Sequence, residues 1–396
     1  MSTQAAYNKL LEGRGKKEPT THLEVVKFWL QRSGCKWCYN DKGYYWFNKE
    51  THVWELYTSL TEWLLRFKLS EDTPSKELKE MFPCVLKTNK DEGSIKKLPK
   101  PSGVIPFSNG VFDIKKGKFR VGAEPQDYLL SLGENFYYWD YEGEKPVEIL
   151  HLIDMMSGGD EKLRELILAV CWLNIVGVQE RRYDGFKNCF ILWTSKDGYS
   201  GRSTLFNILD TCSGNRICHL ERLEDLTDAN TLSRLEETNA VYCDERESVT
   251  SARANWVSIL KRMVGGHQPL EVKKLYKDKF ILKGHWVVNQ ATNNEELFYD
   301  VGKALEERII TIKTQTIPKV EIDKFNSDLV RTTRLYSEEE ATRFVYYLYK
   351  KFPYFEDCLS TISKLKLEFA HETRKIADSS SPFDGFLEEC LEPSAA

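Results

Sequence analysis

The chain has 396 residues, 41% of them hydrophobic and 12% aromatic, and a formal net charge of −4. That length and apolar content suit two or three globular domains with cores of their own, and the slightly acidic balance excludes a polycation drawn indiscriminately to nucleic acid. No apolar run is long enough to cross a bilayer, and the opening MSTQAAYNKLLEGRGKK lacks the apolar centre of a secretory signal, so a soluble, cytoplasmic protein without a membrane partner is expected.

Residues 21–69 are rich in aromatics. THLEVVKFWL reads as a helix, YYWFNKETHVWELY as two short strands about a turn, and LTEWLLRFKL as another helix, together a small α+β unit. The ten cysteines are scattered rather than set in a spaced framework, which favours a reducing compartment. Cys35-Lys-Trp-Cys38 has no second pair at ligand spacing, and it reads as two ordinary thiols beside a tryptophan in preference to half a zinc site. KTNKDEGSIKKLPKPSG at 87–103 breaks periodicity as a linker or exposed loop. In VIPFSNGVFDIKKGKFR, Asn109-Gly110 and Lys116-Gly117 mark turns between short strands.

From about 148, EILHLIDMMSGGDEKLRELILAVCWLNIVGV predicts two helices parted by Ser157-Gly158-Gly159. Next, CFILW has strand length, Thr194–Gly201 is a Gly/Ser loop, and a helix-compatible stretch with Ser203 and Thr204 follows. This is the layout of a phosphate-binding loop, in which loop N–H groups and a helix N-terminus face polyphosphate oxygens and a hydroxyl ligates Mg²⁺. The predicted nucleotide-binding residues are Lys196, Gly198, Gly201, Arg202, Ser203 and Thr204. Two depart from the pattern G-x-x-x-x-G-K-[ST]: Lys196 replaces the first glycine, and Arg202 the lysine. A planar guanidinium cannot sit against the β/γ-phosphates as an ammonium does, so slow hydrolysis is expected, offset in part by Lys196.

Strand-like segments at 239–243, 284–289 and 308–313 alternate with helical ones at 229–237 and 252–264, as an α/β nucleotide-binding core requires. NAVYCDE places Asp244 and Glu245 at the end of an apolar strand. Asp244 suits Mg²⁺, with Ser203, and Glu245 the orientation or deprotonation of the attacking water. In GHWVVNQATNN, Asn293 offers an uncharged amide for a γ-phosphate or a lytic water. Arg308, at the start of the strand in ALEERIITIKT, is a candidate to reach a neighbouring subunit's γ-phosphate; a salt bridge with Glu306 or Glu307 is its plainer role. Seven basic residues against two acidic ones lie between Lys261 and Lys283. After Pro318 the chain reads as helical and charged.

Taken in order, these motifs resemble those of the superfamily 3 helicases of the phage, plasmid and poxvirus primase–helicase type. IPFSNGVFDIKKGKF at 105–119 is similar to that branch's strand pair, EPQDYLLSLGENFYY at 124–138 to the segment after it, and LKRMVGGHQPLEVKKLYKDKFILKGHWVVNQATNN at 260–294 to its third and fourth helicase motifs, with His267 where Asp is usual. ETRKIADSSSPFDGFLEEC resembles the end of its helicase region. The resemblance covers most of the chain from about residue 25.

The resemblance implies an α/β fold with an AAA+ P-loop NTPase core, an α-rich (α+β) N-terminal domain and a short helical C-terminal tail. The expected domains are 1–147 for the N-terminal collar, 148–317 for the motor and 318–396 for the tail. It also implies an ATP- and Mg²⁺-dependent hydrolase, a replicative DNA helicase of a virus, phage or mobile element. Such a protein would assemble as a hexameric ring on single-stranded or forked DNA within the host cell, with a primase or polymerase as a further partner. Lys273, Lys274, Tyr276 and Lys277 then stand where the family has its DNA-contacting pore loop, and cations beside an aromatic suit a phosphate backbone and stacked bases. About 100 residues precede the strand pair, too few for a primase module as well. The alternative is a hydrolysis-weak, nucleotide-binding scaffold that holds DNA and recruits replication partners.

Overall fold

The computed structural model describes residues 21–40, 43–69, 73–88, 103–132, 137–138, 144–177, 190–196, 198–235, 238–244, 258–260, 262–264, 270–273, 279–282, 286–293 and 308–368. The chain forms two compact units, one of residues 1–101 with 122–132, the other of 102–121 with 133–396.

In the first unit, helix α1 (His22–Ser33) starts at a capping box in which Thr21 and Glu24 each accept the other's backbone N–H, and it stops at Gly34 in the left-handed region. An antiparallel sheet follows, of β1 (Trp37–Asn40), β2 (Gly43–Asn48) and β3 (Val53–Leu56) in that order. Helices α2 (Leu60–Arg66) and α3 (Lys76–Thr88) complete the unit. Alternation along β2 sends Trp46 into a core with Val26, Trp29, Trp37, Trp63 and Phe82, and Tyr45 and Phe47 into a second cluster with Cys38 and Trp54. Burial lifts the thiol pKa of Cys35 to about 12 and that of Cys38 to about 11, so both stay neutral thiols. Helix α3, which runs through Pro83, has no counterpart in the sequence reading. Leu78, Phe82, Val85 and Leu86 nevertheless share a helical face and are buried.

The second unit opens with an antiparallel trio, β4 (Val104–Phe107), β5 (Gly110–Asp113) and β6 (Lys118–Val121). Helices α4 (Val147–Ser157) and α5 (Glu161–Val176) follow. Then come β7 (Phe190–Thr194), α6 (Arg202–Cys212), β8 (Ile217–Leu220), α7 (Ala229–Arg234) and β9 (Ala240–Asp244). A hairpin of β10 (Leu270–Lys273) and β11 (Lys279–Leu282) precedes β12 (Val287–Thr292) and β13 (Ile309–Lys313). The last helices are α8 (Lys319–Ser327), α9 (Leu329–Leu335), α10 (Glu338–Lys351) and α11 (Phe355–Glu368).

Five strands form one parallel sheet in the order β13-β7-β12-β9-β8. Period-two alternation gives it two apolar faces. Ile191, Trp193, Tyr242, Ala291 and Ile312 pack into the core of α4, α5 and α6. Phe190, Leu192, Val241, Cys243 and Val288 pack against Leu223, Leu226, Leu235 and Met263. This is the expected α/β core with helices on both faces.

The two units divide the chain differently from the 147/148 boundary of the sequence reading. Ile105, Phe107, Phe112 and Ile114 of the β4–β6 trio belong to the same apolar core as α5, so the trio sits in the larger unit. The expected tail behaves likewise: Phe344, Val345, Leu348, Cys358, Ile362 and Leu365 are buried in that core. Glu340, fully buried, accepts the Glu148 N–H at 2.6 Å and the Ile149 N–H at 3.4 Å, and so caps α4, which has no side-chain cap of its own.

Candidate nucleotide site

The apolar strand β7 ends at Thr194 and α6 begins at Arg202, with the Gly/Ser loop between them at the carboxyl end of the sheet. In open parallel sheets this edge is where ligands bind. The loop turns through two residues in the left-handed region, Tyr199 at φ 61° and Gly201 at φ 76°. Three bonds from the segment after β13 brace it. Thr314 donates its N–H and its hydroxyl to the Thr194 carbonyl at 2.8 and 3.0 Å, and the Ile317 N–H reaches the Tyr199 carbonyl at 2.9 Å. No side chain caps α6, so the N–H groups of its first turn are oriented for an anion. Lys196 is exposed, and Gly198 and Thr204 are half-buried.

Asp244 ends β9, two strands from β7, with β12 between them; Ala291 is in register with both Trp193 and Asp244. The Ser203 hydroxyl crosses that gap and donates to the Asp244 carboxylate at 2.6 Å. The predicted metal pair, 41 residues apart in the chain, is therefore one hydrogen-bonded unit. A hydroxyl and a carboxylate are the hard oxygen donors that Mg²⁺ takes beside substrate phosphates, so the residues fit that ion. Among the described residues no group of three His, Cys, Asp or Glu side chains gathers at metal-binding distance. Glu245 lies outside the described residues.

Beneath the pair, Tyr242 stacks on Phe206 at 3.9 Å between ring centroids, and Trp193 meets Phe206 edge-on at 5.5 Å. The Tyr242 hydroxyl is buried beside the Ser203 hydroxyl. Burial foremost, then the charge of Asp244, pushes its pKa up, while the adjacent Ser203 hydroxyl and Arg202 guanidinium partly offset them.

Arg202 is 7% exposed and turns under the loop. One terminal nitrogen donates to the carbonyls of Trp193 at 2.8 Å and Thr292 at 2.7 Å, and the other to Asn293 Oδ1 at 2.5 Å. Burial lowers the pKa of the guanidinium, opposed by Tyr242 and Asp244. The sequence motif sets Arg202 in the nucleotide site; the fold directs three of its donor contacts to protein oxygens. Asn293, exposed at the tip of β12, also accepts the Ser195 hydroxyl at 3.0 Å.

Sequence reasoning overlooked Ser195 and a buried amide pair. Asn289, in the middle of β12, donates to Asn174 Oδ1 of α5 at 2.6 Å and accepts the Trp193 indole N–H at 3.1 Å. Two amides, Asn289 and Gln290, inside the apolar run HWVVNQAT were the available signal, since a buried amide must find partners.

Arg308 is not part of this cluster. It precedes β13, with its carbonyl accepting the Phe190 N–H at 3.0 Å, so it lies at the amino end of the sheet. Five strand residues at about 3.3 Å each separate that end from the loop, about 17 Å. Glu306 and Glu307 are outside the described residues. The hairpin β10–β11 sets Lys273 directly across from Lys279, with 274–278 between them. Lys274, Tyr276 and Lys277 fall in that stretch, outside the described residues.

Residues 26–158 match the family described as D5 N terminal like, and residues 193–308 match a family of unknown function, DUF5906. No curated protein matches the chain. Two structures of the NrS-1 C-terminal region share its fold. One, an A form apo structure, is 12% identical with a TM-score of 0.56, covering 95% of this chain and 82% of that one. The other, of residues 305–718, is 12% identical with a TM-score of 0.54, covering 94% and 84%. JCV helicase is 16% identical over 58% of this chain and 65% of that one, but its TM-score of 0.32 is too low to argue from. Among the described residues no helix is long and apolar enough to cross a membrane.

Proposed function

We propose that this chain, whose residues 26–158 match the family described as D5 N terminal like, is an ATP-driven replicative DNA helicase of the superfamily 3 primase–helicase type, from a virus, phage or mobile element. It works as a ring, a hexamer, on single-stranded or forked DNA, with a primase or polymerase as partner. The observation that carries this reading is the Ser203–Asp244 bond at 2.6 Å, at the sheet edge where the phosphate loop opens. In this reading Ser203 and Asp244 hold Mg²⁺, which when bound would neutralise phosphate charge. Loop N–H groups and the start of α6 bind the phosphates, with Lys196, Gly198, Gly201, Arg202 and Thr204 shaping that cradle. Glu245 orients and deprotonates water, and Asn293 contacts the terminal phosphate.

Arg308, about a strand's length away from its own loop, is suited to a neighbouring copy's site rather than its own. Lys273, Lys274, Tyr276 and Lys277, at and beyond the end of β10, contact the DNA backbone and bases. Steady-state ATP turnover with and without single-stranded DNA tests the proposal. DNA-stimulated turnover that Glu245→Gln abolishes is the expected result.

The engagement of Arg202 with strand-end carbonyls favours one second reading, a ring that binds nucleotide and DNA as a scaffold but hydrolyses weakly. Tight nucleotide binding with no DNA-stimulated turnover would decide for it.

A further inference from the structure

Arg202 and Ser195 converge on one atom. Asn293 Oδ1 accepts the guanidinium at 2.5 Å and the serine hydroxyl at 3.0 Å. A guanidinium only donates, so the atom facing it must be the amide oxygen. With Oδ1 held inward by two donors, the other end of the amide, Nδ2 with its two N–H groups, is the end left to face outward from an exposed residue at the strand tip.

The arginine is itself fixed. Both hydrogens of one nitrogen go to the carbonyls of Trp193 and Thr292, near the carboxyl ends of adjacent parallel strands, and the side chain is 7% exposed. A lysine would place one point charge among these acceptors, whereas the planar fork spans them.

We propose that Arg202, with Ser195, is a positioning residue that locks the Asn293 amide with its oxygen inward, so that Asn293 acts as a hydrogen-bond donor to the terminal phosphate of a nucleoside triphosphate. This rests on the nucleotide-site reading above and deepens it. An acceptor for the lytic water is ruled out for Asn293, because its oxygen is committed. The replacement of the usual lysine by arginine becomes a rebuilt sensor: selectivity for triphosphate over diphosphate passes through Arg202 without the guanidinium touching phosphate.

The experiment measures equilibrium binding of a fluorescent non-hydrolysable ATP analogue and of fluorescent ADP, with Mg²⁺, alongside thermal melts without nucleotide. Asn293→Asp keeps an oxygen for Arg202 and Ser195 but replaces the outward N–H donors with an acceptor. Its melting temperature should match wild type, while the ratio of triphosphate to diphosphate affinity falls by about tenfold or more, the size of one hydrogen bond to a charged group. Arg202→Met should lose more triphosphate than diphosphate affinity, and adding Asn293→Asp to it should lower the ratio no further. An unchanged ratio in Asn293→Asp, or an Arg202→Met that loses ADP and triphosphate affinity alike, overturns the proposal. Should Arg202→Met not fold, Ser195→Ala, which removes the other donor to Asn293 Oδ1, takes its place and should lower the same ratio; an unchanged ratio there overturns the proposal. Wild-type protein that binds neither nucleotide would instead bring down the nucleotide-site reading itself.

Discussion

Replacing Gly201 by alanine tests how the phosphate loop is held. Gly201 has φ 76°, and a Cβ there would stand 2.8 Å from Leu152 Cδ1, 3.3 Å from Ile317 Cδ1 and 3.4 Å from Met156 Cγ. An L-residue in the left-handed region costs about 1–2 kcal/mol. Leu152 and Met156 are buried on α4, so making room for a methyl adds about 1–3 kcal/mol of overpacking. The stiffer unfolded chain returns about 0.4–1 kcal/mol. The net loss is about 3 kcal/mol, read as a lower urea midpoint at unchanged slope. Because Gly201 is the N-cap of α6, nucleotide affinity should fall with it. Gly198 is the control: a Cβ there meets nothing within 4 Å, so Gly198→Ala should stay within about 0.5 kcal/mol of wild type. Equal stability of the two variants would refute the argument that α4 and the left-handed turn fix the loop.

Glu340→Ala removes the acceptor of two α4 amides and the partner of Arg334 and Arg343, whose nitrogens lie 3.5 and 3.6 Å from its other oxygen. It should cost about 3 kcal/mol in denaturant melts, with Glu340→Gln costing less, and a loss below about 1 kcal/mol would contradict it. The pair Lys273→Ala and Lys274→Ala should weaken binding to single-stranded DNA and flatten its dependence on salt; unchanged affinity across a salt series would exclude the hairpin tip. With their thiol pKa values near 12 and 11, Cys35 and Cys38 should resist an aromatic disulfide reagent at pH 8 while exposed Cys84 reacts at once. Fast labelling of all three would show that the first unit's core is open.

What was legible in the sequence was what depends on local pattern. The change from an apolar run to a Gly/Ser loop and then a helix places β7, the loop and α6; the strand ending in Asp244 was expected as the parallel neighbour of β7, whereas β12 lies between the two and the Ser203 hydroxyl reaches across it. Strand β12 begins at Val287, three residues later than the expected 284. The destination of Arg202 was not legible, because a long side chain at a helix start can reach up to the phosphates or down to the strand ends, and spacing is the same for both. Nor was the membership of Phe344 and Ile362 in the main core: their amphipathic helices show a buried face, and the sequence does not say what buries it.

The brace on the phosphate loop also determines where any movement of that loop must go. Thr314 and Ile317 grip its carbonyls, and Gln315 is bonded to the Met156 carbonyl at the end of α4. The same short stretch runs straight into α8, the first member of the closing helical layer. A change in the loop would therefore be felt first at this tether and at the start of α8, whose Val320 faces water, as do Leu329 and Val330 of α9.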